Sequence, residues 1–159
     1  MPMNKPTWKT YALGILLTEA VGALSGWLVR DGTQLYQTTI QTPPFSPPAI
    51  VFPIAWVLLY ALMGIGAARI YATAASQRRT VALEVYLLQL AFNFFWSIIF
   101  FNFQAFGFAL LWLLVLWGLI LAMIRVFYPL DRTAALLQIP YLLWVTFAAY
   151  LNFGVWLLN

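Results

Sequence analysis

The 159-residue chain is 64% hydrophobic and 18% aromatic, with only 8% charged residues and a mean hydropathy of +0.88. A soluble domain carries about a quarter charged residues, and a water-soluble globule of this size has too little interior to hide so much apolar surface. Cysteine and histidine are both absent, which excludes disulfides, zinc sites, thiol and imidazole chemistry and the usual axial ligands of haem, so neither a metal nor a cofactor is expected.

Apolar runs of roughly 20 residues, long enough to cross a hydrocarbon core, alternate with short stretches that hold most of the prolines and charges. This layout predicts an all-α membrane protein: a single domain over residues 1–159, built as a five-transmembrane-helix bundle with a proline-rich loop between helices 1 and 2. The first helix is expected over residues 10–29. Lys5 and Lys9 precede it in the manner of a signal peptide, and Ala23-Leu24-Ser25 weakly imitates a cleavage site. Its apolar character continues to Val29, however, so it reads as a retained helix. Gly22 and Gly26 stand at the GxxxG spacing that lets two helix backbones approach, within the bundle or between two copies. Glu19 falls mid-helix, where a lipid-exposed carboxylate is costly, so it should face the interior, be protonated or find a polar partner.

Residues 30–46 read as a polar connector whose end cannot be helical, because Pro43, Pro44, Pro47 and Pro48 lack backbone donors. A long loop beside short connections is commonly a lid or binding loop. The second helix is expected over 49–74, with Pro53 in its first turns where a missing amide matters little, followed by a basic loop at 76–80 carrying Arg78 and Arg79. From Val85 to Ile124 there is no charge, a stretch too long for one span and suited to two. Asn102, Gln104 and Gly107 mark the break, giving a third helix at 81–101 and a fourth at 105–127, tightly joined and therefore antiparallel. A turn at Pro129 to Arg132 leads to a fifth helix at 133–157, which Pro140 should kink.

Lys5, Lys9, Arg69, Arg78, Arg79, Arg125 and Arg132 fall at one end of this bundle and only Arg30, beside Asp31, at the other. The positive-inside rule then places the N-terminus in the cytoplasm and the proline-rich loop and C-terminus outside, with a bacterial plasma membrane as the expected location. The +4 net charge is accounted for in this way, and with no basic face along the chain no nucleic-acid partner is expected.

The polar groups expected at membrane depth are Glu19, Gln89, Asn93, Ser97, Gln138, Thr146 and Asn152. Helical spacing puts Gln89, Asn93 and Trp96 on one face, turned into the bundle, where amides in lipid must find partners. Trp56 and Tyr60 lie one turn apart, and Tyr141 and Trp144 three residues apart. Interfacial aromatic belts account for Trp8, Trp27, Trp112, Trp117 and Trp156. Trp56, just inside a helix end beneath the proline loop, suits a pocket instead. An aromatic cage under a lid fits a flat apolar ligand.

Three ordered motifs extend this pattern: Pro43-Pro44-Phe45-Ser46-Pro47-Pro48 followed by Phe52-Pro53-Ile54-Ala55-Trp56 through Tyr60; Leu88-Gln89-Leu90-Ala91-Phe92-Asn93-Phe94-Phe95-Trp96 with Phe100-Phe101; and Pro140-Tyr141-Leu142-Leu143-Trp144 through Tyr150-Leu151-Asn152. Together they resemble the TspO/MBR family of tryptophan-rich sensory and translocator proteins. The resemblance implies a membrane receptor or carrier, commonly a homodimer, that binds porphyrins and related tetrapyrroles and, in animal members, cholesterol and benzodiazepine-type compounds. By motif position the ligand-binding residues would be Tyr36, Gln37, Pro47, Pro48, Trp56, Tyr60, Asn93, Trp96 and Trp144, with Pro47 and Pro48 closing the cavity from above. Some bacterial members are associated with light-dependent porphyrin breakdown, for which Trp56 and Trp144 would be the catalytic residues. A proton-coupled transporter using Glu19 is a further alternative. The chain departs from the family pattern at Tyr36-Gln37, where a Trp-Tyr pair is usual, and at Phe45, where Trp is usual. After Tyr150 it also lacks the basic residue of the sterol-recognition pattern.

Overall fold

The computed structural model describes residues 5–159. Its helices are α1 (Trp8–Leu28), α2 (Arg30–Thr39), α3 (Val51–Tyr71), α4 (Gln77–Ser97) continued by a π-helical turn (Ile98–Asn102), α5 (Phe106–Phe127), α6 (Arg132–Leu136) and α7 (Ile139–Leu158). Five stretches are long and apolar enough to cross a membrane: Trp8–Leu28, Val51–Tyr71, Gln77–Asn102, Phe106–Phe127 and Arg132–Leu158. Consecutive spans are antiparallel. Gly14 lies against Gly64 and Gly22 against Tyr60, Tyr60 bonds Asn93 while Met63 meets Gln89, and Asn152 reaches Phe106 while Thr146 accepts from Trp117.

The buried core is made by α3, α4, α5 and α7, with Met63, Leu113, Ile120, Met123, Tyr141 and Val145 almost completely enclosed. Helix α1 is different: its buried residues are Thr18 and Ser25, both small and polar. In lipid, apolar area gives helices little reason to associate, so close packing and hydrogen bonds hold them together. Helix α1 uses both. A Cβ on Gly14 would collide with the Gly64 carbonyl, and one on Gly64 would lie 2.5 Å from the Ile15 Cα. One turn on, the Thr18 hydroxyl donates to the Tyr60 carbonyl at 2.7 Å. The backbone approach expected at Gly22 and Gly26 is therefore at Gly14 and Gly64. Gly22 makes room for the Tyr60 ring, and a Cβ on Gly26 would meet nothing within 4 Å.

The connector expected as coil over residues 30–46 begins with a helix, α2. No proline interrupts residues 30–42, and Asp31 in the first turn favours helix by charge–dipole attraction. Gly32 seats it against the π-helical turn, where an added Cβ would come within 2.7 Å of the Phe101 carbonyl, and Asn102 Nδ2 donates to the Leu28 carbonyl at 3.1 Å. Irregular chain is confined to residues 40–50, and α7 holds it. Tyr150 donates to the Pro44 carbonyl at 2.6 Å, Asn159 exchanges two bonds with the Gln41 backbone, and Pro43 packs on Gly154.

Two further expectations change. The basic loop at 76–80 is mostly the first turn of α4, capped by Ser76 Oγ accepting from the Arg79 amide, while the Arg79 guanidinium donates to the Tyr71 and Thr73 carbonyls at the end of α3. In the fifth span the interruption precedes Pro140. The chain turns at Leu137 and Gln138, and Pro140 sits in the first turn of α7, where its missing amide costs nothing. Gln138 fills the break, its Nε2 donating to the carbonyls of Leu62 and Ala134 in the space left by Gly66. At this end Arg69 pairs with Asp131 at 2.8 Å and donates to Tyr11, while Asp131 caps α6, tying α1, α3 and the α5–α6 turn together.

Replacing Gly64 with Ala places a methyl group against rigid backbone, and thermal unfolding of the detergent-solubilised protein should show a loss of about 1–3 kcal/mol. Gly118→Ala, at a position with nothing within 4 Å of the new atom, should leave the midpoint unchanged or slightly raised.

Candidate functional site

Away from the Gly14–Gly64 contact, α1 and the rest of the bundle enclose a cavity of about 810 Å³ roofed by α2. The α1 wall is a strip of residues on one side of the helix, Glu19, Gly22, Ala23, Ser25 and Gly26, small beyond Glu19, and Arg30 at the start of α2 continues it. The opposite wall is aromatic. Trp56 stacks on Tyr60 with ring centroids 5.5 Å apart and meets Trp144 edge-on at 6.3 Å, and Phe52 meets Trp144 at 5.9 Å. Trp96 stacks on Phe100 at 5.1 Å, and from the roof Tyr36 packs on Phe100 and Phe101 at 5.5 and 5.3 Å. Burial in this cluster pushes the Tyr36 phenol above its ordinary value, so it remains a neutral hydrogen-bond donor at physiological pH.

Six of the nine binding residues expected from the sequence, Tyr36, Gln37, Trp56, Tyr60, Trp96 and Trp144, border this space. The other three do not. Asn93 lies behind Tyr60. Pro47 borders a smaller recess of about 310 Å³ shared with Tyr36, Gln37 and Phe52, and Pro48 borders neither, its carbonyl accepting from the Val51 amide at the start of α3. The roof is thus α2 rather than the prolines. Phe45, at the loop position where the family usually has Trp, has a positive φ and is 88% exposed, outside the cavity. Gly22, Ala23 and Gly26 were not expected in the wall; their spacing signals a face of small residues, which fits a cavity as well as a helix contact.

Behind the aromatic wall runs a chain of buried polar groups. The Tyr60 hydroxyl donates to Asn93 Oδ1 at 2.6 Å, Asn93 Nδ2 donates to the Tyr141 oxygen at 2.7 Å, and the Tyr141 hydroxyl donates to Gln89 Oε1 at 2.8 Å. Each group has one evident direction of donation, so the chain fixes the rotamers of residues on α3, α4 and α7 together. A second link runs from Trp96 Nε1 to Asn152 Oδ1, with Asn152 Nδ2 on the Phe106 carbonyl. Thr146, midway along α7, lies on the outer surface of the bundle rather than inside it, and its hydroxyl accepts from Trp117. Trp112 donates to the Phe92 carbonyl at 2.8 Å, so these two tryptophans brace helix pairs along the spans rather than at their ends. Glu19 borders the cavity without a hydrogen-bond partner among the described residues.

Residues 14–157 match the TspO/MBR family. A tryptophan-rich protein TspO from Chlorobaculum tepidum is 35% identical over 158 residues, covering 99% of both chains. A tryptophan-rich sensory protein from Cereibacter sphaeroides is 39% identical over 94% of this chain and 92% of its own. A translocator protein from Bos taurus is 33% identical over 95% of this chain and 90% of its own.

The polar chain predicts an asymmetry between its tyrosines. Tyr141→Phe strips partners from both Asn93 and Gln89 in a fully buried setting and should destabilise the detergent-solubilised protein by about 2–4 kcal/mol, whereas Tyr60→Phe, which frees only Asn93 Oδ1, should cost about 1–2 kcal/mol. Equal unfolding midpoints for the two variants would contradict the arrangement.

Proposed function

Because the chain belongs to the TspO/MBR family and is an integral membrane protein, we propose that it is a membrane receptor or carrier for a porphyrin or a similar planar hydrophobic ligand, held in the cavity under α2. The observation that carries this reading is the shape and chemistry of the cavity: a small-residue strip on α1 faces Trp56, Tyr60 and Trp144 across about 810 Å³. Indole and phenol rings provide large, rigid contact area to a flat π-system, and stacking adds about 0.5–1.5 kcal/mol per ring pair beyond area burial. The distribution of Lys and Arg supports an orientation with the N-terminus in the cytoplasm and α2 outside, so the ligand enters from the outer side. Homodimer formation is part of the proposal on family grounds.

A second reading, light-dependent breakdown of the bound porphyrin, is favoured by the edge-on pair of indoles in the wall, Trp56 and Trp144. An excited macrocycle beside an indole has a ready electron-transfer partner; breakdown of the ring is a net oxidation, for which dissolved dioxygen would be the oxidant, accepting the electrons and supplying the oxygen atoms.

Titrating the purified protein with protoporphyrin in the dark, and following the porphyrin absorbance together with tryptophan quenching, tests the binding site. The Trp56→Phe, Trp144→Phe double variant should weaken binding about tenfold; unchanged affinity would sink the assignment of this wall. Illuminating the same complexes separates the two readings. Loss of porphyrin absorbance faster than for free porphyrin, and slowed in the double variant, favours breakdown, while a rate equal to that of free porphyrin leaves binding alone.

A further inference from the structure

The cavity lining holds two charged side chains, Glu19 and Arg30. They sit at opposite ends of this strip: the nine steps from Glu19 to Leu28 cover about 14 Å of helix, and Arg30 lies just beyond. Between them the wall is Gly22, Ala23, Ser25, Gly26 and Val29, and the facing wall is mainly aromatic, with Ser97 and Asn152 also lining it. The cavity is therefore mainly apolar, with its two charged residue types at opposite ends, Glu19 toward the helix crossing and Arg30 beside α2.

Arg30 is held in place without being neutralised. Its guanidinium lies over the Trp27 ring at 4.3 Å and its Nη1 donates to the Trp27 carbonyl at 2.7 Å. Neighbouring Asp31 makes no ion pair with it; among the described residues the one ion pair is Arg69 with Asp131. Thr33 and Gln37, one and two turns further along α2, line the same space and bring a hydroxyl and an amide to the rim. Arg30, Thr33 and Gln37 thus form a row of donors about 10 Å long on one face of α2. A planar fork of N–H groups recognises carboxylates in preference to neutral oxygens. At the other end a ligand carboxylate would face the Glu19 carboxyl, which offers it no cation.

We propose that Arg30 recognises acid groups on the ligand, seating the carboxylate-bearing edge of a planar amphiphile at the α2 rim with its ring system inserted toward Trp56 and Trp144. This rests on the planar-ligand reading above and adds to it a fixed orientation and a preference for ligands whose acids lie along one edge. Gln37, where the family usually has an aromatic residue, then serves as an amide donor at the far end of the row that Arg30 begins.

The test compares protoporphyrin, a diacid, with its dimethyl ester, each titrated into the full chain in phosphatidylcholine nanodiscs. Partition into lipid is common to all protein variants, so the change in the diacid-to-ester affinity ratio between variants isolates the contribution of the side chain. The wild type should favour the diacid by about tenfold, the size of one charge-assisted contact, and Arg30→Gln should bring the ratio close to one, while Arg30→Lys retains part of the preference. Binding of both compounds with a ratio near one in the wild type, or a ratio unchanged in Arg30→Gln, overturns the role of Arg30 and leaves the planar-ligand reading standing. Failure of both compounds to bind the wild type overturns that reading, and the role of Arg30 with it.

Discussion

The near contact of α1 and α3 at Gly14 and Gly64 determines how the rest of the bundle is arranged. Two glycines let the helix backbones touch, and the Thr18 hydroxyl bonded to the Tyr60 carbonyl secures the crossing. Beyond that point the side chains of α3 become large, with Tyr60 and then Trp56, while those of α1 stay small at Gly22, Ala23 and Gly26. Gly22 accepts the Tyr60 ring, and past it the two helices leave space between them that neither fills. The cavity is thus a consequence of the crossing: one end of α1 is fixed by backbone contact, and the other is held apart by aromatic rings.

Such a space stays open only if its far wall is rigid. The buried chain from Tyr60 through Asn93 and Tyr141 to Gln89 links three helices behind the rings, and Asn152 anchors Trp96 from α7. With no water at this depth, each of these amides and phenols is expensive to leave unpaired, which makes their mutual satisfaction a strong constraint on geometry. The roof is fixed differently. Gly32 and Asn102 hold α2 to the π-helical turn, and Tyr36 rests on Phe100 and Phe101, whereas the proline loop is tied to α7 through Tyr150, Asn159 and Gly154. Tyr150 therefore serves as a structural clasp between the loop and α7.

Hydropathy made the five spans legible, because the length of an apolar run is a direct consequence of bilayer thickness. Helical periodicity likewise brought Gln89, Asn93 and Trp96 to one buried face. What could not be read was which small or polar residue meets which neighbour. Gly22 and Gly26 carry the same spacing as a helix contact but line a cavity, while the true contact joins Gly14 to a glycine 50 residues away, a pairing that no local pattern encodes. Polar composition hid α2, whose helix depends on docking against the π-helical turn. Pro140 drew attention as the kink, yet the break lies at Gln138, where a side chain rather than a proline reorganises the backbone bonds. Asn93 was legible as buried, but not as one layer behind the cavity surface.

The central claim is that the space between α1 and the aromatic wall is where ligand resides, and filling that space tests it most directly. Gly26 borders the cavity, and a Cβ built there meets nothing within 4 Å, so Gly26→Phe should add a ring at the cavity about three turns away from the helix crossing at Gly14. Protoporphyrin affinity measured for this variant should fall at least about tenfold, with the thermal unfolding midpoint preserved. Wild-type affinity in a protein that carries the phenylalanine and remains folded would place the ligand elsewhere and contradict the claim.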